Sequence, residues 1–179
     1  MKSLPKASRP SLQYIGPSAV CAEIGVWAGD FSNHILHFCN PAKLHLVDPW
    51  ISQYPKSGRW YSGPQAGLDN KFEQVSSSFA NDDRVVIHRE FSSKVQFEKD
   101  YFDWVYIDGD HTYEVVKQDL SKYYSLIKTG GFLCGHDYGP TGTDTNGGPQ
   151  RAVDEFVKER GLSLLVKGHA REFVIKKGI

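Results

Sequence analysis

The chain has 179 residues, 40% of them hydrophobic, which suffices for one full-sized core and is short for two domains. Its 21 lysines and arginines balance 21 aspartates and glutamates, so no bulk field draws it to nucleic acid or to an anionic membrane. The three cysteines, Cys21, Cys39 and Cys134, lie in apolar runs where cysteine acts as a small hydrophobe, and no signal peptide or membrane-spanning run is apparent. A single cytoplasmic domain over 1–179 is the expectation.

Residues 1–17 read as an N-terminal extension, punctuated by Pro5 and Pro10. The run Val20-Cys21-Ala22-Glu23-Ile24 then reads as a strand, Gly25 to Gly29 as a glycine turn, and 31–38 as a helix with Asp30 placed to cap it. A second strand over 43–47 ends at Asp48; 65–79 reads as a helix and 84–88 as a third strand. A fourth strand over 103–107 precedes a helix with Val116, Leu120, Tyr123 and Ile127 on one face, stopped by Thr129-Gly130-Gly131. Residues 132–135 form the fifth strand. A last helix opens at Pro149, buries Ala152, Val153, Phe156 and Val157, and stops at Gly161; 162–166 and 172–175 close the chain as strands. This rhythm predicts a doubly wound α/β domain, a mostly parallel seven-stranded sheet with helices on both faces.

In such sheets ligands bind beyond the carboxyl ends of the strands. Those ends carry Glu23 to Gly29, Asp48-Pro49-Trp50, Glu90-Phe91-Ser92, Asp108-Gly109-Asp110-His111 and His136-Asp137-Tyr138. An acid ending the second strand suits a ribose, whose hydroxyls a carboxylate can accept; the plainer reading is that Asp48 opens an Asp-Pro turn. The dinucleotide fingerprint needs a glycine where Trp27 stands, and no Gly-Lys-Ser/Thr occurs, so close phosphate docking is disfavoured.

The pattern resembles the class I S-adenosylmethionine-dependent methyltransferases. The resemblance rests on Glu23-Ile24-Gly25 with Gly29, on Asp48, on Phe102-Asp103-Trp104-Val105-Tyr106-Ile107-Asp108-Gly109-Asp110-His111-Thr112-Tyr113, on Gly130-Gly131-Phe132 and on His136-Asp137. These motifs look like small-molecule O-methyltransferases of the macrolide-sugar and catechol types. The resemblance implies that Glu23 and the backbone around Gly25, Val26, Trp27 and Gly29 hold the amino-acid part of S-adenosylmethionine and Asp48 its ribose, with Ser32 among the cofactor-binding residues. Pro49, Trp50 and Phe91 would flank the adenine, Ser92 would add a polar contact, and Asp108 would border the cofactor. Asp108 and Asp137 match positions that hold a divalent ion, Mg²⁺ by type, although Tyr138 stands where catechol-type enzymes carry a third ligand. The alternative is that Asp108 and Asp110 only organise the Gly109 turn and cap the next helix.

His111 and His136 follow adjacent strands, and an imidazole there can take a hydroxyl proton near neutral pH; His111 is preferred, with a loop-carbonyl partner as the plain reading of each. His34, His37, His45, His88 and His169 have no ligand-like spacing. The aromatic loop 50–67 and the glycine-rich loop 138–150 are candidate active-site loops. Arg151 and Lys94 read as solvated charges or as contacts to an acidic substrate. The leading expectation is methyl transfer from S-adenosylmethionine to a hydroxyl of a small sugar or phenol, with His111, Asp108 and Asp137 assisting. The alternatives are a non-catalytic S-adenosylmethionine-binding domain and, behind it, an NAD-dependent oxidoreductase. The expected partner is a small-molecule substrate, with a homodimer left open.

Overall fold

The structure is a computed structural model that describes residues 9–52, 64–139 and 147–178. The central parts of both candidate loops, 53–63 with Tyr54, Trp60 and Tyr61, and 140–146, lie outside the described residues, as do 1–8.

Seven strands form one sheet: β1 (Val20–Ile24), β2 (Lys43–Val47), β3 (Val85–His88), β4 (Phe102–Ile107), β5 (Ile127–Gly135), β6 (Leu164–Lys167) and β7 (Phe173–Lys176), in the order β3-β2-β1-β4-β5-β7-β6. The first five are parallel, and β7 runs antiparallel to both β5 and β6. The order reverses between β1 and β4, which opens a crevice at their carboxyl ends.

Alternation along the strands builds two cores. Ala22, Ile24, Val105 and Ile107 face helices α3 (Tyr113–Leu126) and α4 (Gly148–Glu159), which contribute Val116, Leu120, Tyr123, Ala152, Val153 and Phe156. Cys21, Leu44, Leu46, Trp104 and Tyr106 face the other way, against Phe31 of α1 (Asp30–His34), a π-helical turn (Ile35–Cys39) and Val75 and Phe79 of α2 (Gln65–Phe79). Burial holds the thiols of Cys21 and Cys134 well above the ordinary range, which fits their reading as small hydrophobes.

Several expectations change. The helix over 31–38 is one turn of α-helix that widens into a π turn, and Asp30 is its first residue; the capping position belongs to Gly29, and no side chain caps it. Thr129-Gly130-Gly131 does not end a helix. Ile127 pairs with Phe102 directly after α3, and Gly130, at φ +84, bends β5 where Gly130 and Gly131 exchange backbone hydrogen bonds with Lys177. The apolar Ile127 fits a helix face and a buried strand equally, so periodicity could not separate the two.

The stretch 1–17 is not a loose extension where it is described. Pro10–Tyr14 forms a 3₁₀ turn that buries Leu12 beside Ile15 in the second core. Its anchor is Glu172, which is fully buried and accepts the Ser11 N–H at 2.8 Å and the Ser11 hydroxyl at 3.0 Å; Trp104 Nε1 donates to the Ser11 carbonyl at 3.2 Å.

Candidate active site

The turn after β1 sets the crevice. Gly25 has φ +90, and a Cβ there would run into the carbonyl of Asp108 and the Cα of Gly109, the latter at 2.5 Å. Only glycine lets β1 and β4 end this close together. Trp27 (φ 51), Trp50 (φ 45) and Asp137 (φ 57) occupy the left-handed region just past β1, β2 and β5. Such conformations cost non-glycine residues of order 1–3 kcal/mol and concentrate where function requires a fixed backbone.

Asp48 holds two of these turns. Its Oδ2 accepts the Val26 and Trp27 N–H groups at 2.9 and 3.0 Å, and its Oδ1 accepts the Trp50 N–H at 2.7 Å. Burial pushes its carboxyl up, against the opposing pull of these bonds. A carboxylate has about four lone-pair sites, so Oδ1 retains room for one further donor.

Three residues expected to touch a cofactor are supports. Trp50 is 1% exposed, packs on Phe72 and donates Nε1 to the Trp27 carbonyl at 2.8 Å, so it offers no ring face to an adenine. Ser32 is fully buried and donates to Glu23 Oε2 at 2.5 Å. Glu23 lies beneath the turn at 2% exposure, where burial pushes its carboxyl up to about 8. Val26 is buried as well, whereas Gly25, Trp27, Pro49 and Phe91 keep part of their surface open. The Ser92 hydroxyl, expected near the adenine, instead donates to Asp119 at 2.7 Å.

Beyond β4 and β5 the side chains face one another. His111 Nε2 lies 3.1 Å from Asp137 Oδ2 and 3.7 Å from Asp108 Oδ1; His136 Nδ1 lies 3.4 Å from Asp137 Oδ1 and 3.8 Å from Asp108 Oδ1. Burial pushes Asp137 up, but the His136 hydrogen bond and the charges of His111, His136 and Arg171 hold it at about 2. Burial lowers His111, and Asp108, Asp137 and Asp110 more than reverse that, leaving it raised. Gly135, just before His136, lets β5 run close to β4 and β7, since a Cβ there would strike Phe173 and the Ile107 carbonyl.

Two arginines from outside the expected set join this cluster. Arg171 pairs with Asp137 Oδ1. Arg9 Nη1 donates to Asp108 Oδ2 at 2.8 Å and to the Tyr106 hydroxyl at 2.6 Å; burial pulls its pKa down, and Tyr106 and Asp108 more than offset that. Arg9 lies 99 residues from Asp108 in sequence, and no local signal marks it.

One ligand atom from each of Asp108, His111 and Asp137 falls within 4.8 Å of the others, a donor set able to hold a divalent ion. Its nitrogen makes it suited to Mn²⁺ or Zn²⁺ as well as Mg²⁺, while the two guanidiniums already balance the two carboxylates. Lys94 sits over the Phe91 ring and Arg151 over the Tyr113 ring.

Against this geometry, the family described as "Methyltransferase domain" matches residues 22–138. The chain belongs to that methyltransferase-domain family. The matched span runs from β1 past Asp137 and leaves Arg9 and Arg171 outside it. No curated protein matches the chain. Among solved structures, the O-methyltransferase NovP shares 15% identity, with 94% of this chain and 77% of that one covered at a TM-score of 0.64. A protein from Corynebacterium glutamicum shares 18% identity over 90% of this chain and 73% of that one, TM-score 0.63. Fibrillarin from Aeropyrum pernix, solved with S-adenosyl-L-methionine natively bound, shares 11% over 90% and 67%, TM-score 0.59. The seven-stranded sheet of this methyltransferase domain is thus the Rossmann-like class I methyltransferase fold. No helix among the described residues is long and apolar enough to cross a membrane.

Proposed function

We propose that this methyltransferase domain moves a methyl group from S-adenosylmethionine to a hydroxyl of a small molecule, with His111 as the base. The observation that carries this reading is the pairing of His111 with Asp137 at 3.1 Å, in the crevice that the Gly25 turn opens. The crevice suits the donor: Asp48 Oδ1 can accept one ribose hydroxyl, Pro49 and Phe91 keep open surface beside it, and Glu23 supports the turn from below.

When bound, the donor supplies a methyl carbon on a positively charged sulfur. Asp137, ionised at neutral pH, orients the His111 imidazole and stabilises its protonated form, the part an aspartate plays behind a histidine base. His111 takes the acceptor's hydroxyl proton while the hydroxyl oxygen bonds to the methyl carbon and the carbon–sulfur pair leaves on sulfur. The products are a methyl ether, S-adenosylhomocysteine and an imidazolium. Because the carboxylates raise the pKa of His111, the base form grows as pH rises, and the rate should climb with it.

A second reading is favoured by the same three residues. A divalent ion on Asp108, His111 and Asp137 would supply Lewis acidity at the acceptor oxygen, and His111 would then be a ligand and not the base. A screen of sugars and phenols that follows S-adenosylhomocysteine release, run with EDTA and with added Mg²⁺ or Mn²⁺, separates the two. Turnover that survives EDTA and falls in His111→Ala supports the base; turnover restored by metal alone supports the ligand role. No release with any acceptor, while S-adenosylmethionine binds, contradicts both readings.

A further inference from the structure

The Arg9 guanidinium has a use that the resting structure does not exhaust. It stands in the crevice between β1 and β4, its Cζ 4.3 Å over the Phe31 ring of α1 and 5.2 Å from the Tyr106 ring of β4. Glu23, whose strand pairs with β4 at Tyr106, feels its charge. A chain of buried bonds fixes it there. Tyr106 accepts from Arg9 and donates to Glu172 Oε1 at 2.6 Å, and Glu172 grips Ser11, two residues along from Arg9.

A guanidinium carries five N–H donors. Among the described residues, Arg9 uses only Nη1, for Tyr106 and Asp108; its Nε and Nη2 donors have no acceptor there. Taking a guanidinium largely out of water is costly unless its donors are matched, and the Nε–Nη2 edge is the one that meets a carboxylate with two parallel bonds. The side chain keeps 28% of its surface, so the guanidinium is not sealed from solvent.

We infer that Arg9, through the open edge of its guanidinium, binds the α-carboxylate of the methionine half of the methyl donor. The assignment rests on the donor proposed above. It makes the segment that Glu172 anchors part of the cofactor site, although that segment lies outside the span matched by the family. Arg9 also neutralises Asp108, so one residue holds the donor's amino-acid end and the wall of the acceptor side together.

The test compares two ligands by isothermal titration: S-adenosylhomocysteine, which carries the carboxylate, and 5′-methylthioadenosine, which lacks the amino-acid end. In Arg9→Met, affinity for S-adenosylhomocysteine should fall by about 30-fold, the range of a lost charge-assisted pair, and that for methylthioadenosine by less than about 2-fold. Arg9→Lys keeps the stem and charge without the fork, and should lose part of the S-adenosylhomocysteine affinity alone; it decides the matter if Arg9→Met does not fold. Equal losses for both ligands, or no loss for either, in a variant with wild-type melting behaviour would overturn the inference while leaving the donor in place. If the wild type bound neither ligand, the donor assignment would fall first and this one with it. An Arg9 that serves an acidic acceptor instead gives the no-loss result, because neither titration contains an acceptor.

Discussion

Two aspartates past the carboxyl ends of strands in one sheet do opposite things. Asp48, after β2, spends three of its acceptor sites on neutral backbone N–H groups, and burial pushes its carboxyl up. Asp137, after β5, faces His111, His136 and Arg171, which hold it at about 2. The first is a builder, fixing two left-handed turns that no tryptophan would adopt unaided. The second is a carrier of charge, set against groups that can lose a proton or yield to a ligand. On the proposed function, the donor half of the site is rigid by hydrogen bonding and the acceptor half is poised by electrostatics.

The bluntest way to break this division is at the glycine that joins the halves. Gly25→Ala forces a Cβ into the Asp108 backbone at positive φ and should cost about 3 kcal/mol or more, read as a lower urea midpoint, with loss of S-adenosylhomocysteine binding. In the acceptor half, His111→Ala should lower kcat by roughly 10²–10⁴-fold with S-adenosylhomocysteine affinity within a few-fold of wild type; equal losses in both would assign His111 to the donor half. In the donor half, Asp48→Asn replaces one acceptor oxygen by a donor facing backbone N–H groups. Stability should drop by about 1–3 kcal/mol and donor affinity with it, while the pH profile of kcat stays where it was.

The smallest effect sharpens the contrast through pH. Glu23 has a folded pKa of about 8 against an ordinary value of 4.5, so its neutral form contributes stability that is fully present below pH 4.5 and lost as pH rises through 8. Asp119, at about 6, acts in the same direction up to that pH; above it the raised His111 acts with Glu23, and the lowered His45 and His88 act against both up to about 6.5. Asp137 acts the other way, its contribution present above 3.8 and lost as pH falls through 2. Between pH 6 and 8 stability should fall more steeply with pH in the wild type than in Glu23→Gln, where the slope of His111 remains, a difference of about 2 kcal/mol by pH 9. A slope unchanged by that substitution would remove Glu23 as its cause.

What the sequence revealed follows the range of the forces involved. Strand ends at Ile24, Val47 and Ile107 were legible because period-two apolar runs stop at glycine or aspartate, and topology then brings those ends together. The pairing of His111 with Asp108 and Asp137 was within reach for the same reason. The burial of Trp50 was not legible, because an aromatic past a strand reads equally as a ligand platform or as core, and only the fold shows it packed on Phe72. Arg9 and Arg171 were invisible: each meets its aspartate across a long sequence separation, through a segment whose placement depends on a buried Glu172. The fifth strand began earlier than expected because Ile127 satisfies both periodicities.

The central claim is that the crevice between β1 and β4 takes the adenosyl methyl donor. A thermal-shift titration with S-adenosylhomocysteine tests it most directly. At a concentration 100 times its dissociation constant the ligand should stabilise the fold by about 2.7 kcal/mol, a rise of roughly 5–10 °C for a chain of this size, with NAD giving none. A melting temperature unmoved by millimolar S-adenosylhomocysteine, or raised by NAD instead, would contradict the account.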